Sequence, residues 1–137
     1  MKRTASAHWE GDLKTGKGSL TTQSTVLNKS QYSFNTRFEN GAGTNPEELL
    51  AAAHAGCFTM ATSLALSQAG FTATSLDTIA TVNLEGVDIT NIHLVITGKV
   101  PNISAAQFSD ITKAMEKGCI ISKALKVPIT SEATLLS

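Results

Sequence analysis

Only two cysteines, three histidines, three prolines, one tryptophan and one tyrosine occur among the 137 residues. Two thiols are too few for the disulfide framework of a small secreted scaffold. Two cysteines and the scattered His8, His54 and His93 give no ligand spacing for zinc, so no metal is expected. Charged residues are sparse at 16%, and 11 basic side chains balance 11 acidic ones. That balance leaves no bulk attraction toward nucleic acid or an anionic membrane surface. No h-region follows Lys2 and Arg3, so no secretory signal is expected. No apolar run approaches the roughly 20 residues that span a bilayer. These absences together lead to the expectation of a cytoplasmic protein with no membrane and no nucleic-acid partner. A stable structural disulfide is disfavoured in that compartment, whereas a transient catalytic one is allowed. A length of 137 residues fits a single domain over the whole chain, residues 1–137. Apolar residues reach 42%, more than a lone chain of this size hides easily, which points to an oligomer.

Four kinds of segment follow one another. Ala5 to Glu10, the run from Gly16 and Gly18 through Leu20 to Leu27, and Tyr32 to Phe38 read as strands of an antiparallel meander, with a turn at Asn28-Lys29-Ser30. Tyr32, Phe34, Thr36 and Phe38 then share one face, and Ser33, Asn35 and Arg37 the other. Gly41 and Gly43 mark a loop. Asn45 is a good N-cap, Pro46 suits the first helical position, and Glu48 stands where a capping box needs it. The spacing predicts a helix from there to about Gln68, stopped by Gly70, with Leu49, Leu50, Ala53, Cys57, Met60, Ala61 and Leu64 on one broad stripe. Small residues nearly all round make it a central helix. Ile79 to Leu84 and Ile89 to Val100 predict a hairpin through Gly86-Val87-Asp88. Ser104 with Gln107 caps a helix whose buried face is Phe108, Ile111 and Met115 and which closes at Gly118. Cys119 to Lys126 predicts a short helix, and Pro128 leads into a last strand, Ile129 to Leu136. The order places the chain in the α+β class, with antiparallel sheets around a long central helix.

Little in this chain titrates near neutrality, so Cys57 and Cys119, sixty-two residues apart, are the leading candidates for chemistry. A thiol becomes a useful nucleophile when ionised, which a cation or a helix N-terminus favours and apolar surroundings oppose. Cys57 lies about three turns into its helix, beyond the useful reach of the helix dipole. Its small apolar neighbours suit an inert core thiol, the commoner fate of a cysteine in an Ala-rich helix. Cys119 follows Gly118 at a helix start, where backbone N–H groups can stabilise a thiolate. Two buried structural thiols fit these positions. So does a pair in which one thiol is oxidised to a sulfenic acid and the other condenses with it. His54, three residues before Cys57, could face that thiol as a base, and reads in preference as a packing or interface histidine.

The segment Gly43-Thr44-Asn45-Pro46-Glu47-Glu48-Leu49 running into Cys57, the stretch Asn35-Thr36-Arg37-Phe38, the early His8-Trp9-Glu10-Gly11 and the late Gly118-Cys119 together resemble the OsmC/Ohr family of organic hydroperoxide reductases, in its osmotically inducible branch. The resemblance covers essentially the whole chain. It implies an intertwined homodimer and a thiol-dependent peroxidase that needs no cofactor. Carried onto this sequence, Cys57 would be the peroxidatic thiol and Cys119 the resolving one. Arg37 would favour the thiolate of Cys57 and orient the peroxide, and Glu47 would hold Arg37. The chain departs from the family pattern after the resolving thiol, where Ile120-Ile121 stands in place of an expected proline.

Glu47 and Cys57 are ten residues apart, about 15 Å along an unbroken helix. Glu47 therefore reaches a thiol site if two such helices cross in a dimer and the site is shared. The expected substrate is an organic hydroperoxide, with hydrogen peroxide reduced more weakly, because the apolar side chains around Cys57 (Leu50, Met60, Phe38) would bury an alkyl group. The resemblance suggests an external dithiol of lipoyl type as reductant. Two other readings stand beside the enzyme: a non-catalytic protein with a hydrophobic pocket, and a redox sensor. The Arg37–Glu47 pair also has a plainer reading, as an exposed salt bridge worth at most about 1 kcal/mol.

Overall fold

The computed structural model describes residues 1–136. The chain forms two compact units, Met1–Leu49 and a second beginning at Leu50.

In the first unit β1 (Ala5–Glu10), β2 (Lys17–Thr22) and β3 (Ser30–Tyr32) form an antiparallel sheet in the order β1-β2-β3, the meander expected from the sequence. Trp9, Gly18 and Tyr32 lie in one cross-strand row. The two rings meet edge to face at 5.5 Å across Gly18, and a Cβ there would run into both. The second strand stops at Thr22 rather than Leu27. Positive φ at Thr25 (62°) and Lys29 (51°) breaks the extended chain, and Thr22 N–H closes the loop on Leu27 O at 2.9 Å.

The alternating stretch Tyr32 to Phe38 is not a strand beyond Tyr32: Phe34–Phe38 is a short helix, α1. Ser33 caps it. Ser33 Oγ accepts from Thr36 N–H at 3.3 Å, and Thr36 Oγ1 accepts from Ser33 N–H at 2.8 Å. The Phe34 and Phe38 rings then meet at a tilt on one helix face, their centres 5.0 Å apart, as i and i+4 neighbours do.

Helix α2 (Pro46–Gln68) starts and ends where the sequence puts it. Asn45 Oδ1 accepts from Glu48 N–H at 2.7 Å, while the Glu48 carboxylate accepts from the Thr44 hydroxyl instead of closing the box on Asn45. Charges are absent from Leu49 to Gln68, and an 18-residue window of α2 reaches a mean hydropathy of 1.5. By length and composition this helix is apolar enough to cross a membrane, which corrects the expectation that no run approaches that size. Alanines and scattered leucines carry the value, so no single block of large side chains announces it.

In the second unit β4 (Ser75–Glu85), β5 (Asp88–Lys99) and β6 (Ile129–Leu136) form the second sheet in that order. β4 and β5 make the expected hairpin around Gly86-Val87, with Gly86 at φ 62°. β6 pairs with β5 in parallel, so this sheet is mixed and not antiparallel throughout. The crossover through α3 (Ala105–Gly118) and α4 (Ile120–Ala124) returns the chain to the end of the sheet where β5 began. Ile92, Leu94 and Ile96 alternate into the core as expected and pack with Phe58 and Cys119, while Leu66, Val100 and Phe108 form a second cluster. The Ser104–Gln107 capping box forms in full at the head of α3. Phe108 is its buried anchor, joined by Thr112 and Glu116; Ile111 and Met115 are half-buried. Glu116 is satisfied by Lys113 Nζ at 2.7 Å and by Ser131 Oγ of β6 at 2.6 Å.

The buried face of α2 differs from the stripe read off the sequence. His54, Phe58, Thr62 and Leu66, four residues apart, are fully buried, whereas Met60 and Leu64 are 76% and 60% exposed.

Candidate active site

Cys57 lies midway along α2 and is half-buried; Cys119 is buried and is the N-cap residue of α4. Both are free thiols. The Ile121 N–H points at Cys57 Sγ at 3.4 Å, and the Ser122 N–H points at Cys119 Sγ at 3.4 Å. The start of one short helix thus presents an amide hydrogen to each sulfur. Cys57 is beyond the reach of its own helix start, and α4 supplies the donor that α2 cannot. Such donors suit a thiolate better than a thiol. Ile120 occupies the first position of α4, where a proline would have fitted, and α4 forms with isoleucine there.

Behind Cys119 the polar contacts continue inward. Ser122 Oγ lies 3.0 Å from Cys119 Sγ, and His54 Nε2 lies 2.7 Å from the same Oγ. His54 is fully buried, and burial holds its imidazole below the ordinary histidine value, which favours the neutral ring. Sequence reasoning gave no part to Ser122. Its position three residues after a helix-capping cysteine was the available signal.

An apolar groove of about 810 Å³ opens over the two thiols. α2 lines it with Ala53, Cys57, Met60, Ala61 and Leu64, and the α3–α4 corner with Met115, Cys119 and Ile121. Met60 stands there as expected. Leu50 packs on the core cluster instead, and Phe38 belongs to the first unit.

In the first unit Arg37, on α1, meets Glu47, in the first turn of α2. Arg37 Nε and Nη2 both donate to Glu47 Oε1, at 3.0 and 2.9 Å. The Arg37 side chain is 45% exposed and that of Glu47 only 11%. Glu47 Oε2 is buried and has no hydrogen-bond partner among the described residues. The pair is therefore lopsided, with a buried carboxylate and a half-exposed guanidinium. The Arg37 guanidinium sits 5.5 Å from the centre of the Phe38 ring, at the edge of a 280 Å³ hollow that Trp9, Tyr32 and Phe34 help to line. The structure therefore brings the four expected residues together in two pairs, Cys57 with Cys119 and Arg37 with Glu47.

Two small sheets, a long helix and a pair of free thiols under an apolar groove define an α+β protein of the two-cysteine thiol class. The chain belongs to the OsmC-like protein family, whose model matches residues 39–133. It is 52% identical to peroxiredoxin OsmC of Escherichia coli (strain K12) over 141 aligned positions, which cover 100% of this chain and 99% of the relative. Peroxiredoxin OsmC of Shigella flexneri matches to the same extent, at 52% identity. Among solved structures, the OsmC-like protein of Mycoplasma pneumoniae shares the fold with a TM-score of 0.76 at 16% identity, over 100% of this chain and 99% of that one. The organic hydroperoxide resistance protein OhrB of Bacillus subtilis does so with a TM-score of 0.63 at 20% identity, over 97% and 98%.

Proposed function

We propose that this protein is a thiol-dependent peroxidase that reduces organic hydroperoxides to alcohols, with Cys57 as peroxidatic and Cys119 as resolving thiol. Peroxidase activity follows from family membership and from 52% identity to peroxiredoxin OsmC over the full chain. The observation that carries the assignment of roles is the pair of free thiols beneath one apolar groove, each facing an amide N–H of α4. Cys57 is the more accessible of the two and so is the one a peroxide meets first.

The Cys57 thiolate attacks the terminal peroxide oxygen and the O–O bond breaks. The leaving alkoxide takes a proton to become the alcohol, and Cys57 is left as a sulfenic acid. Cys119 sulfur then attacks Cys57 sulfur, the S–O bond breaks, and water leaves with a disulfide in place. An external dithiol, of lipoyl type in this reading, reduces the disulfide by two exchange steps. The groove favours an organic over an inorganic peroxide, because each methylene buried there contributes about 0.8 kcal/mol. Arg37 stabilises charge on the leaving oxygen and Glu47 fixes Arg37.

The site is shared between two copies in this reading, the thiols from one and the Arg37–Glu47 pair from the other. The unbroken α2, the unused Glu47 Oε2 and the exposed apolar Met60, Leu64 and Ile120 around the thiol groove support it. The protein works in the cytoplasm, off the membrane, as a single functional domain. An assay with an alkyl hydroperoxide and a dithiol, comparing wild type with Cys57→Ser, tests the reading. Turnover is expected in the wild type and none in the variant. Absence of turnover in both, with an apolar ligand still bound in the groove, would turn the assignment toward a binding protein.

A further inference from the structure

We propose that His54, Ser122 and Cys119 form a buried proton relay that serves the resolving step. The inference rests on the reading of Cys119 as the resolving thiol and adds two residues to it. The three side chains come from α2 and the α3–α4 corner and are all buried, at 0%, 7% and 1% exposure. Ser122 Oγ stands between the other two, 2.7 Å from His54 Nε2 and 3.0 Å from Cys119 Sγ.

A hydroxyl has one hydrogen and two lone pairs, so Ser122 can donate to only one of these neighbours at a time. Two settings follow. In the first, Cys119 S–H donates to Ser122 Oγ and Ser122 O–H donates to His54 Nε2. In the second, His54 Nε2–H donates to Ser122 Oγ and Ser122 O–H donates to a Cys119 thiolate. Passing from the first to the second moves one proton from sulfur to ring with no displacement of a heavy atom. The sulfur is cut off from solvent, so its proton has few other exits. Burial opposes a charged His54 ring, and its Nδ1 has no hydrogen-bond partner among the described residues, so a proton held there is driven back through Ser122 when the Cys119 sulfur is free again.

Cys119 needs such a transfer when it attacks. A bond forms between Cys119 and Cys57 sulfurs, the Cys57 S–O bond breaks, and the pair of electrons leaves with hydroxide. The proton taken from Cys119 passes through Ser122 to His54, and the hydroxide takes a proton from solvent at the groove and departs as water. Cys57 is reduced from the sulfenic to the disulfide level and Cys119 is oxidised to it, so the step needs no further reagent. When a dithiol later opens the disulfide, the same chain protonates the released Cys119 sulfur. Ser122 and His54 are positioning residues here, acting through the thiol and touching no substrate.

The test is a single-turnover experiment on the full chain, with the two oxidation steps resolved. Pre-reduced protein receives one equivalent of alkyl hydroperoxide. Sulfenic acid is read by a trapping reagent and the disulfide by mass spectrometry of quenched samples. In Ser122→Ala the sulfenic acid is expected to form at the wild-type rate, which also checks that the variant is folded. The disulfide is expected to form about 100-fold more slowly, the lower end of what a positioned proton acceptor supplies. Ser122→Thr, which keeps the hydroxyl, is expected to restore most of the rate. The wild-type disulfide step is expected to slow in D₂O and to lose that dependence in Ser122→Ala. Disulfide formation in Ser122→Ala as fast as in wild type, or no solvent isotope effect in wild type, overturns the relay. Wild type that accumulates sulfenic acid and never forms a Cys57–Cys119 disulfide overturns the role of Cys119 itself, and the relay with it.

Discussion

At the scale of single residues the candidates were legible where they depended on residue type. Cys57 and Cys119 stand out as the two thiols, while Arg37 and Glu47 become candidates through the family resemblance. Ser122 and the buried contact of His54 were not legible, because they depend on an approach between residues 68 apart. His54 makes a prediction independent of catalysis. Burial lowers its proton affinity in the folded chain below the ordinary value of 6.5, so between the native and the ordinary value the unfolded chain binds more protons. Stability contributed by the neutral ring is therefore fully present above pH 6.5 and falls as pH drops through the ordinary value toward the depressed one. The slope can reach about 1.4 kcal/mol per pH unit for one such group. Denaturant unfolding of wild type and His54→Gln between about pH 5 and 7.5 reads this directly. The variant is expected to lose the histidine part of the slope. Equal slopes in the two proteins would place His54 in a site that tolerates charge. Arg37 makes a second prediction. Arg37→Met is expected to lower kcat/KM for an alkyl hydroperoxide by about 100-fold, the cost of removing one charge-stabilising donor. A change under threefold would return the pair to an ordinary ion pair.

At the scale of elements the ends of helices were easier to read than the identity of short segments. Asn45, Pro46, Ser104 and Gln107 are local signals with local consequences, and α2 and α3 begin where they say. The stretch Tyr32 to Phe38 carried two signals at once: alternation of apolar residues, and a Ser33–Thr36 capping box with Phe34 and Phe38 four apart. The helix won because two side chain–backbone hydrogen bonds satisfy groups a strand would have left to a neighbour. On α2 the reading failed differently. Alanines nearly all round offer no contrast between faces, so the large side chains trace a stripe that is not the buried one. In the folded chain the buried line is His54, Phe58, Thr62 and Leu66. α1 carries Arg37, and this separates stability from function. Ser33→Ala and Ser104→Ala each remove an N-cap and are each expected to cost about 1 kcal/mol in chemical unfolding. Only Ser33→Ala is expected to lower peroxidase activity as well, since Arg37 lies within the five-residue helix that Ser33 starts, whereas Ser104 caps the end of α3 opposite Cys119. Equal activity in the two variants would mean that α1 need not be ordered for Arg37 to act.

At the scale of the whole molecule, the oligomer expected from composition can be tested at one exposed face. Met60, Leu64 and Ile120, 76%, 60% and 74% exposed, are large apolar side chains beside the two thiols. Glu47 Oε2 is buried without a partner among the described residues. A second copy seated there would cover the first group and, in the shared-site reading, bring its own Arg37 and Glu47 to the thiols. A two-fold dimer of this kind has two equivalent sites, each with one set of residues from either chain. Cys57→Ser and Arg37→Met should each be inactive or nearly so as homodimers. When they are mixed in equal amounts under conditions that exchange subunits, half the dimers are mixed. Each mixed dimer then has one complete site, with the thiol of the Arg37→Met chain and the arginine of the Cys57→Ser chain. Activity is expected to recover to about a quarter of wild type. If each chain instead completes its own site, every site in the mixture still lacks either thiol or arginine, and no activity returns. Leu64→Lys sharpens the comparison, because a charge on that face should give a monomer by sedimentation and abolish complementation at once. A Leu64→Lys monomer with wild-type turnover would show that one chain holds all four groups.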